Sequence, residues 1–228
     1  MKHASFLVLA LCLSTGFAKE IPTVKPSEVG MSAEKLKKVD RKVEELVKQR
    51  RLAGAVVIVA RKGKIVHFKA YGQQDIERKK PMKKDTIVRI YSMSKAIASA
   101  ATMMLVDQKK LDLDAPVAKY LPELKNLKVY AKSGSQQPKR PMTARDLLRH
   151  TAGLTYGLFG STEVDKQYRA ANLLGSENLA QMTKKLGRLP LLYSPGTEWV
   201  YSVSIDVLGR LVEVISGETF DVFLKKHI

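Results

Sequence analysis

Two apolar, β-branched runs, residues 53–60 and 65–72, are separated by the turn residues Arg61-Lys62-Gly63-Lys64. That spacing predicts a β-hairpin. Two strands alone are marginal in water, so the hairpin needs a cover and further strands. The preceding segment supplies a cover: Ser32 is placed to cap a helix whose Leu36, Val39, Val43, Leu46 and Val47 fall on one apolar stripe. Helical periodicity then takes over. It runs through residues 96–106, from a Thr143-Ala144-Arg145-Asp146 capping box to Arg149, and through 163–174, 178–186 and 205–215. Gly217 stops the last of these and a further helix begins at Phe220. Residues 73–85 and 132–141 are polar or rich in Ser, Gly, Gln and Pro, and read as surface loops. Strands come early and helices follow, with no internal repeat.

The chain has 228 residues, 45% hydrophobic and 27% charged, which suits one large globular domain or two small ones. No internal apolar run is long enough to span a bilayer. At the N-terminus, Lys2 and His3 precede the apolar residues 4–13 and the small residues Gly16 and Ala18. This pattern predicts a secretory signal peptide, residues 1–18, with the mature domain occupying 19–228. The single cysteine, Cys12, lies inside that leader. Export to a bacterial periplasm or the extracellular space is therefore expected. The formal net charge is +18, yet the lysines are dispersed along would-be solvent faces and aromatic residues make up only 7%. Nucleic-acid binding, which calls for basic residues interleaved with aromatics, is not expected. An anionic polymer such as cell wall is the partner the charge would suit.

Chemistry enters at Ser92-Met93-Ser94-Lys95, directly before the alanine-rich run 96–106. Residues three apart share a helix face, so the Ser92 hydroxyl and the Lys95 amine can meet. A serine hydroxyl needs a neighbouring base, and an amine whose pKa is lowered by burial can serve. A serine at a helix start also lies where N–H groups and the positive dipole end stabilise an oxyanion. The plainer reading of the same four residues is an N-cap beside an exposed lysine.

Further segments accompany this one in a fixed order. They are Leu111-Asp112-Leu113-Asp114-Ala115-Pro116-Val117, Tyr120-Leu121-Pro122-Glu123, Leu147-Leu148-Arg149-His150-Thr151-Ala152-Gly153-Leu154, and Ser194-Pro195-Gly196-Thr197-Glu198-Trp199-Val200-Tyr201-Ser202. Together with Ser92 and Lys95 they resemble the serine β-lactamase-like hydrolases: class C β-lactamases, D-alanyl-D-alanine carboxypeptidases and related esterases. The resemblance covers roughly residues 30 to 228. It implies an α+β fold of the β-lactamase/transpeptidase type, a helical region against an antiparallel sheet. It also implies Ser92 as nucleophile, with Lys95 and Tyr201 sharing the proton transfer; a bare phenol titrates at about 10, and the Lys95 ammonium could supply the charge that lets Tyr201 act as base. The substrate would be a small ester, a β-lactam or a D-amino-acid amide such as a cell-wall peptide. No cofactor is implied.

Two departures stand out. The family's Tyr-x-Asn element has Val203 at its third position, where a valine cannot hold substrate through an amide; this weakens the β-lactamase reading and favours an esterase or an uncharacterised amidase. The third element, Lys-Thr-Gly or His-x-Gly on a late strand, has no match between Tyr201 and Ile228. The expectation is a C-terminally truncated member, with the last sheet strands and one oxyanion donor outside this stretch, or else a degenerate relative. Without that donor, this stretch alone is expected to be inactive or slow, since one oxyanion donor accounts for about 10²–10³ in kcat. The rival reading keeps the fold without catalysis and has it grip cell wall or another anionic polymer. His67 reads as a satisfied strand residue and His150 as part of a structural helix-to-loop corner. No His, Cys or carboxylate cluster has metal-ligand spacing, and no glycine-rich phosphate loop is present.

Overall fold

A computed structural model describes residues 20–228; the signal-peptide reading of residues 1–18, with Cys12, lies outside the described residues. The chain divides into two compact units, one ending at Arg89 and one comprising Ile90–Ile228.

In the first unit, helix α1 (Ala33–Lys48) starts where Ser32 Oγ accepts the Lys35 N–H at 3.3 Å. Strands β1 (Gly54–Arg61) and β2 (Lys64–Asp75) pair antiparallel, with Ile58 opposite Phe68. Lys62 and Gly63 both adopt positive φ (52° and 68°), the twist a tight hairpin turn requires. Residues 73–85, expected as loop, are partly strand. β2 continues to Asp75, and β3 (Lys80–Pro81) pairs with it, Pro81 opposite Gln73. Backbone pairing is indifferent to side-chain polarity, so a polar edge strand leaves little trace in composition. His67 is satisfied in this unit: its Nε2 lies 3.1 Å from the Tyr71 hydroxyl and 3.3 Å from Asp40 Oδ1.

In the second unit a single 3₁₀ turn, Tyr91–Met93, runs straight into α2 (Ser94–Asp107). Next come a small hairpin, β4 (Val129–Ala131) with β5 (Gly134–Gln136), and α3 (Ala144–Leu148), started by the expected Thr143/Asp146 capping box. The hairpin corrects part of the 132–141 loop reading; Lys132 and Ser133 make its turn, and Gly134, at φ 124°, follows as the first residue of β5. Helix α4 (Glu163–Ala171) is shorter than its periodicity suggests, because Asn172 turns left-handed (φ 45°) and residues 173–175 form a separate 3₁₀ turn. Helices α5 (Leu179–Leu186), α6 (Ser204–Ser216) and α7 (Phe220–His227) complete the unit, with Gly217 closing α6 at φ 75°.

The core of this unit is built on α2 and α6, which pack against each other. The buried face of α2 is Ala98, Ala101, Thr102 and Leu105, spaced for one helical stripe. That of α6 is Ile205, Val207, Leu208, Leu211 and Val212. The small alanines allow the two helix axes a close approach. The architecture is α+β, as expected, and every strand among the described residues precedes residue 137. No described helix is long and apolar enough to cross a membrane. No group of three or more His, Cys, Asp or Glu residues is placed to hold a metal among the described residues.

Candidate active site

The start of α2 and the residues just before α6 meet at three polar tips. Ser92 Oγ lies 2.6 Å from the Tyr201 hydroxyl, and Lys95 Nζ lies 3.4 Å from the same Oγ. The Lys95 nitrogen sits 4.8 Å from the Tyr201 ring centroid and 5.5 Å from that of Tyr156. Ser92 occupies the 3₁₀ turn and Lys95 the first turn of α2, which brings the i and i+3 side chains together. Tyr91, immediately before the serine, is held left-handed at φ 44°, a conformation a bulky residue rarely adopts. The structure thus brings together all three residues singled out from the sequence.

The electrostatics distinguish the roles of the amine and the phenol. Burial pulls the Lys95 pKa down, but hydrogen bonding to the Tyr201 and Tyr156 phenols outweighs it and the amine ends above its ordinary value. Lys95 is therefore a resident ammonium and a poor base at neutral pH. Tyr201 moves the opposite way: hydrogen bonding from Lys95, then from Ser92, holds its phenol below the usual value. The phenol is the group of the pair better suited to accept a proton.

Tyr201 is placed by a corner at the end of α3. The Val200 N–H donates to the His150 carbonyl at 2.9 Å, and the Gly196 N–H to the Thr151 carbonyl at 2.7 Å. The Leu192 N–H donates to the Gly153 carbonyl at 2.7 Å, and the Ser202 N–H to His150 Nδ1 at 3.3 Å. The His150 ring packs on Tyr201 with centroids 4.9 Å apart. Burial, with a smaller contribution from the Lys95 charge, depresses the His150 pKa and favours the neutral ring that accepts at Nδ1. Beneath the corner, Asp146 accepts both guanidinium nitrogens of Arg140, at 2.6 and 2.8 Å, and the Thr151 hydroxyl at 3.2 Å. Gly153 has φ 78°, and a Cβ there would collide with the Tyr193 carbonyl.

Val203 is fully buried in the core, so position 203 offers nothing polar to the site. The neighbouring polar groups are instead Ser202 and Ser204, both buried and 2.7 Å apart, with Ser202 Oγ 3.4 Å from His150 Nδ1. Asp206, in the first turn of α6, lines a cleft of about 440 Å³ with Lys95 and several aliphatic side chains; burial raises its pKa, and the Lys95 charge partly opposes this.

Sequence reasoning missed Tyr156, Phe159 and Trp199. Their rings lie 5.4, 6.0 and 6.3 Å from that of Tyr201. Tyr156 and Phe159 occupy an irregular loop, where no periodicity marks a residue's direction. The only signal was the aromatic content of residues 156–159 and 199–201.

A serine hydroxyl, a phenol within proton-transfer reach and an ammonium at a helix start suit acyl transfer. Residues 39–228 match the beta-lactamase family. The chain is 35% identical over 184 residues to esterase EstB of Burkholderia gladioli, covering 79% of this chain and 45% of that protein. The solved structure of EstCE1, a hydrolase with promiscuous acyltransferase activity, superposes with a TM-score of 0.74 at 34% identity, over 85% of this chain and 50% of that one. Unliganded simvastatin synthase (LovD) from Aspergillus terreus gives a TM-score of 0.72 at 25% identity, over 86% and 52%. The chain spans about half the length of the relatives it matches.

Proposed function

The chain belongs to the beta-lactamase family, and on that premise we propose that Ser92 is the nucleophile of an exported, esterase-type serine hydrolase. The observation that carries this is the 2.6 Å contact of Ser92 Oγ with the Tyr201 hydroxyl, beside the Lys95 ammonium. In this reading Tyr201, ionised with Lys95 as its counter-charge, takes the Ser92 proton as Oγ bonds to the ester carbonyl carbon. The tetrahedral oxyanion lies at the N-terminal end of α2, where backbone donors and the helix dipole favour it. On collapse, the carbon–oxygen bond to the alcohol breaks and Tyr201 returns the proton to the departing alkoxide. Water then releases the acid from Ser92 by the same relay. The apolar, buried Val203 supports ester over β-lactam as substrate.

A fluorophosphonate probe tests this on the intact protein. Labelling of the peptide bearing Ser92, abolished in Ser92→Ala, is expected; a folded sample that takes no label rejects the proposal. The +18 charge favours a second reading, non-catalytic attachment to an anionic wall polymer. Salt-sensitive binding to purified cell wall that survives Ser92→Ala, with no ester hydrolysis, would select it.

A further inference from the structure

Beside Tyr201 opens a cleft of about 570 Å³, walled by Phe159, Tyr193 and Trp199. Among the described residues its aromatic walls stand open: Phe159 is 76% and Trp199 66% exposed. Large aromatic side chains standing in solvent at the mouth of a concave site are a signature of ligand contact, because their flat faces gain most from covering by another flat apolar surface. Both rings also pack on Tyr201 itself, Trp199 nearly parallel to it at 23°. A group seated in the cleft therefore lies against the same phenol that touches Ser92.

The charges of the lining set a second limit. The ionisable groups there are two carboxyls and two phenols, with no Lys, Arg or His. The Asp165 carboxylate is already occupied, by the Thr155 hydroxyl at 2.7 Å and by the Thr162 N–H and hydroxyl at 3.0 and 2.6 Å. Glu198 stands exposed beside Trp199. A ligand carboxylate placed against this lining would meet the Glu198 carboxylate and no cation of the lining; Lys95 lies behind the Tyr201 ring, 4.8 Å from its centroid, and the Arg169 guanidinium is engaged by the Gly160 carbonyl at 3.1 Å. The volume falls within the range of small-molecule sites and accommodates a ring system with a short substituent.

We propose that the Phe159–Tyr193–Trp199 cleft is a substrate subsite for an uncharged aryl or comparably flat apolar group of the ester whose carbonyl reaches Ser92. This rests on the proposed role of Ser92 and narrows it: neutral aryl esters are preferred to compact aliphatic ones and to substrates bearing a carboxylate at that position.

Three boronic acids that bond reversibly to a serine hydroxyl provide the test: methyl-, phenyl- and 3-carboxyphenylboronic acid. Trp199 is the only tryptophan of the sequence, so its fluorescence reports directly on the cleft. The expected result is that phenylboronic acid binds at least tenfold more tightly than methylboronic acid and shifts Trp199 emission. The 3-carboxy analogue should bind at least threefold more weakly than the phenyl compound. Phe159→Ala should weaken phenylboronic acid at least fivefold more than it weakens methylboronic acid, and Trp199→Ala should do the same by calorimetry. Both side chains are solvent-exposed, and unchanged melting temperatures will show that the variants are folded. Equal affinity for phenyl and methyl compounds, a preference that survives both substitutions, or tighter binding of the carboxylate overturns the proposal. Failure of the Ser92 role looks different: methylboronic acid affinity would be undetectable or unaffected by Ser92→Ala, while benzyl alcohol would still shift Trp199 emission if the cleft binds aryl groups.

Discussion

The backbone N–H of Ser202 donates to His150 Nδ1 at 3.3 Å, one residue past Tyr201. The imidazole thus fixes the chain direction immediately after the phenol, while the His150 carbonyl fixes it immediately before through Val200. An imidazole in that role positions Tyr201 without touching the serine.

His150→Ala should therefore lower kcat by about tenfold or more, through misplacement of Tyr201, with a smaller change in KM. The effect is read in steady-state kinetics with a nitrophenyl ester. The pH response has a defined sign. The His150 pKa is depressed in the folded protein, so below the ordinary imidazole value of about 6.5 the unfolded chain takes up the proton first. The His150 contribution to stability is complete above that value and declines as pH falls towards the lower folded value. A pH series of melting temperatures should show this decline, and His150→Ala should flatten it.

Tyr201→Phe removes the hydroxyl proposed to carry the proton and leaves the ring contacts in place. A fall in kcat of about 10²-fold or more is expected with little change in melting temperature. Lys95→Ala should act differently. With the ammonium gone, the Tyr201 pKa rises back towards its ordinary value, so residual activity should climb at higher pH than in the wild type. A pH–rate profile with an unshifted rising limb would contradict the assignment of Lys95 as counter-charge.

Val203→Asn restores the residue type of the family's Tyr-x-Asn pattern at a fully buried apolar position. The amide would be desolvated among core side chains, a loss of about 1–3 kcal/mol. The variant should melt earlier and gain no hydrolysis of a chromogenic cephalosporin.

Gly153→Ala tests the corner from its other side. A Cβ at φ 78° strains the backbone and collides with the Tyr193 carbonyl. Destabilisation of about 2–4 kcal/mol is expected by denaturant titration.

The parts of this molecule that could be read from sequence are those with a local physical code. The hairpin announced itself by β-branched runs around Lys62-Gly63, and α3 by its Thr143/Asp146 box. The Ser92–Lys95 contact followed from helical spacing alone. Tyr201 was reached through resemblance, because nothing local links it to a serine 109 positions earlier. Phe159, Trp199 and the His150–Ser202 bond could not be read, since loops carry no period and their side-chain directions are fixed by distant partners. The balance at Lys95 was only partly legible for a related reason: burial and the Tyr201 phenol were foreseeable, but the second phenol, Tyr156, that helps raise its pKa was not.

The alanine face of α2 has a consequence for the chemistry at its end. Ser92 sits in the turn that opens into α2, Lys95 rides on α2 and Tyr201 leads into α6, so the gap between hydroxyl and phenol is gauged by methyl groups deep in the core. Ala101 has no exposed surface and no slack. Enlarging it by a single methylene would act as a shim, widening a proton's path from a site the substrate never sees.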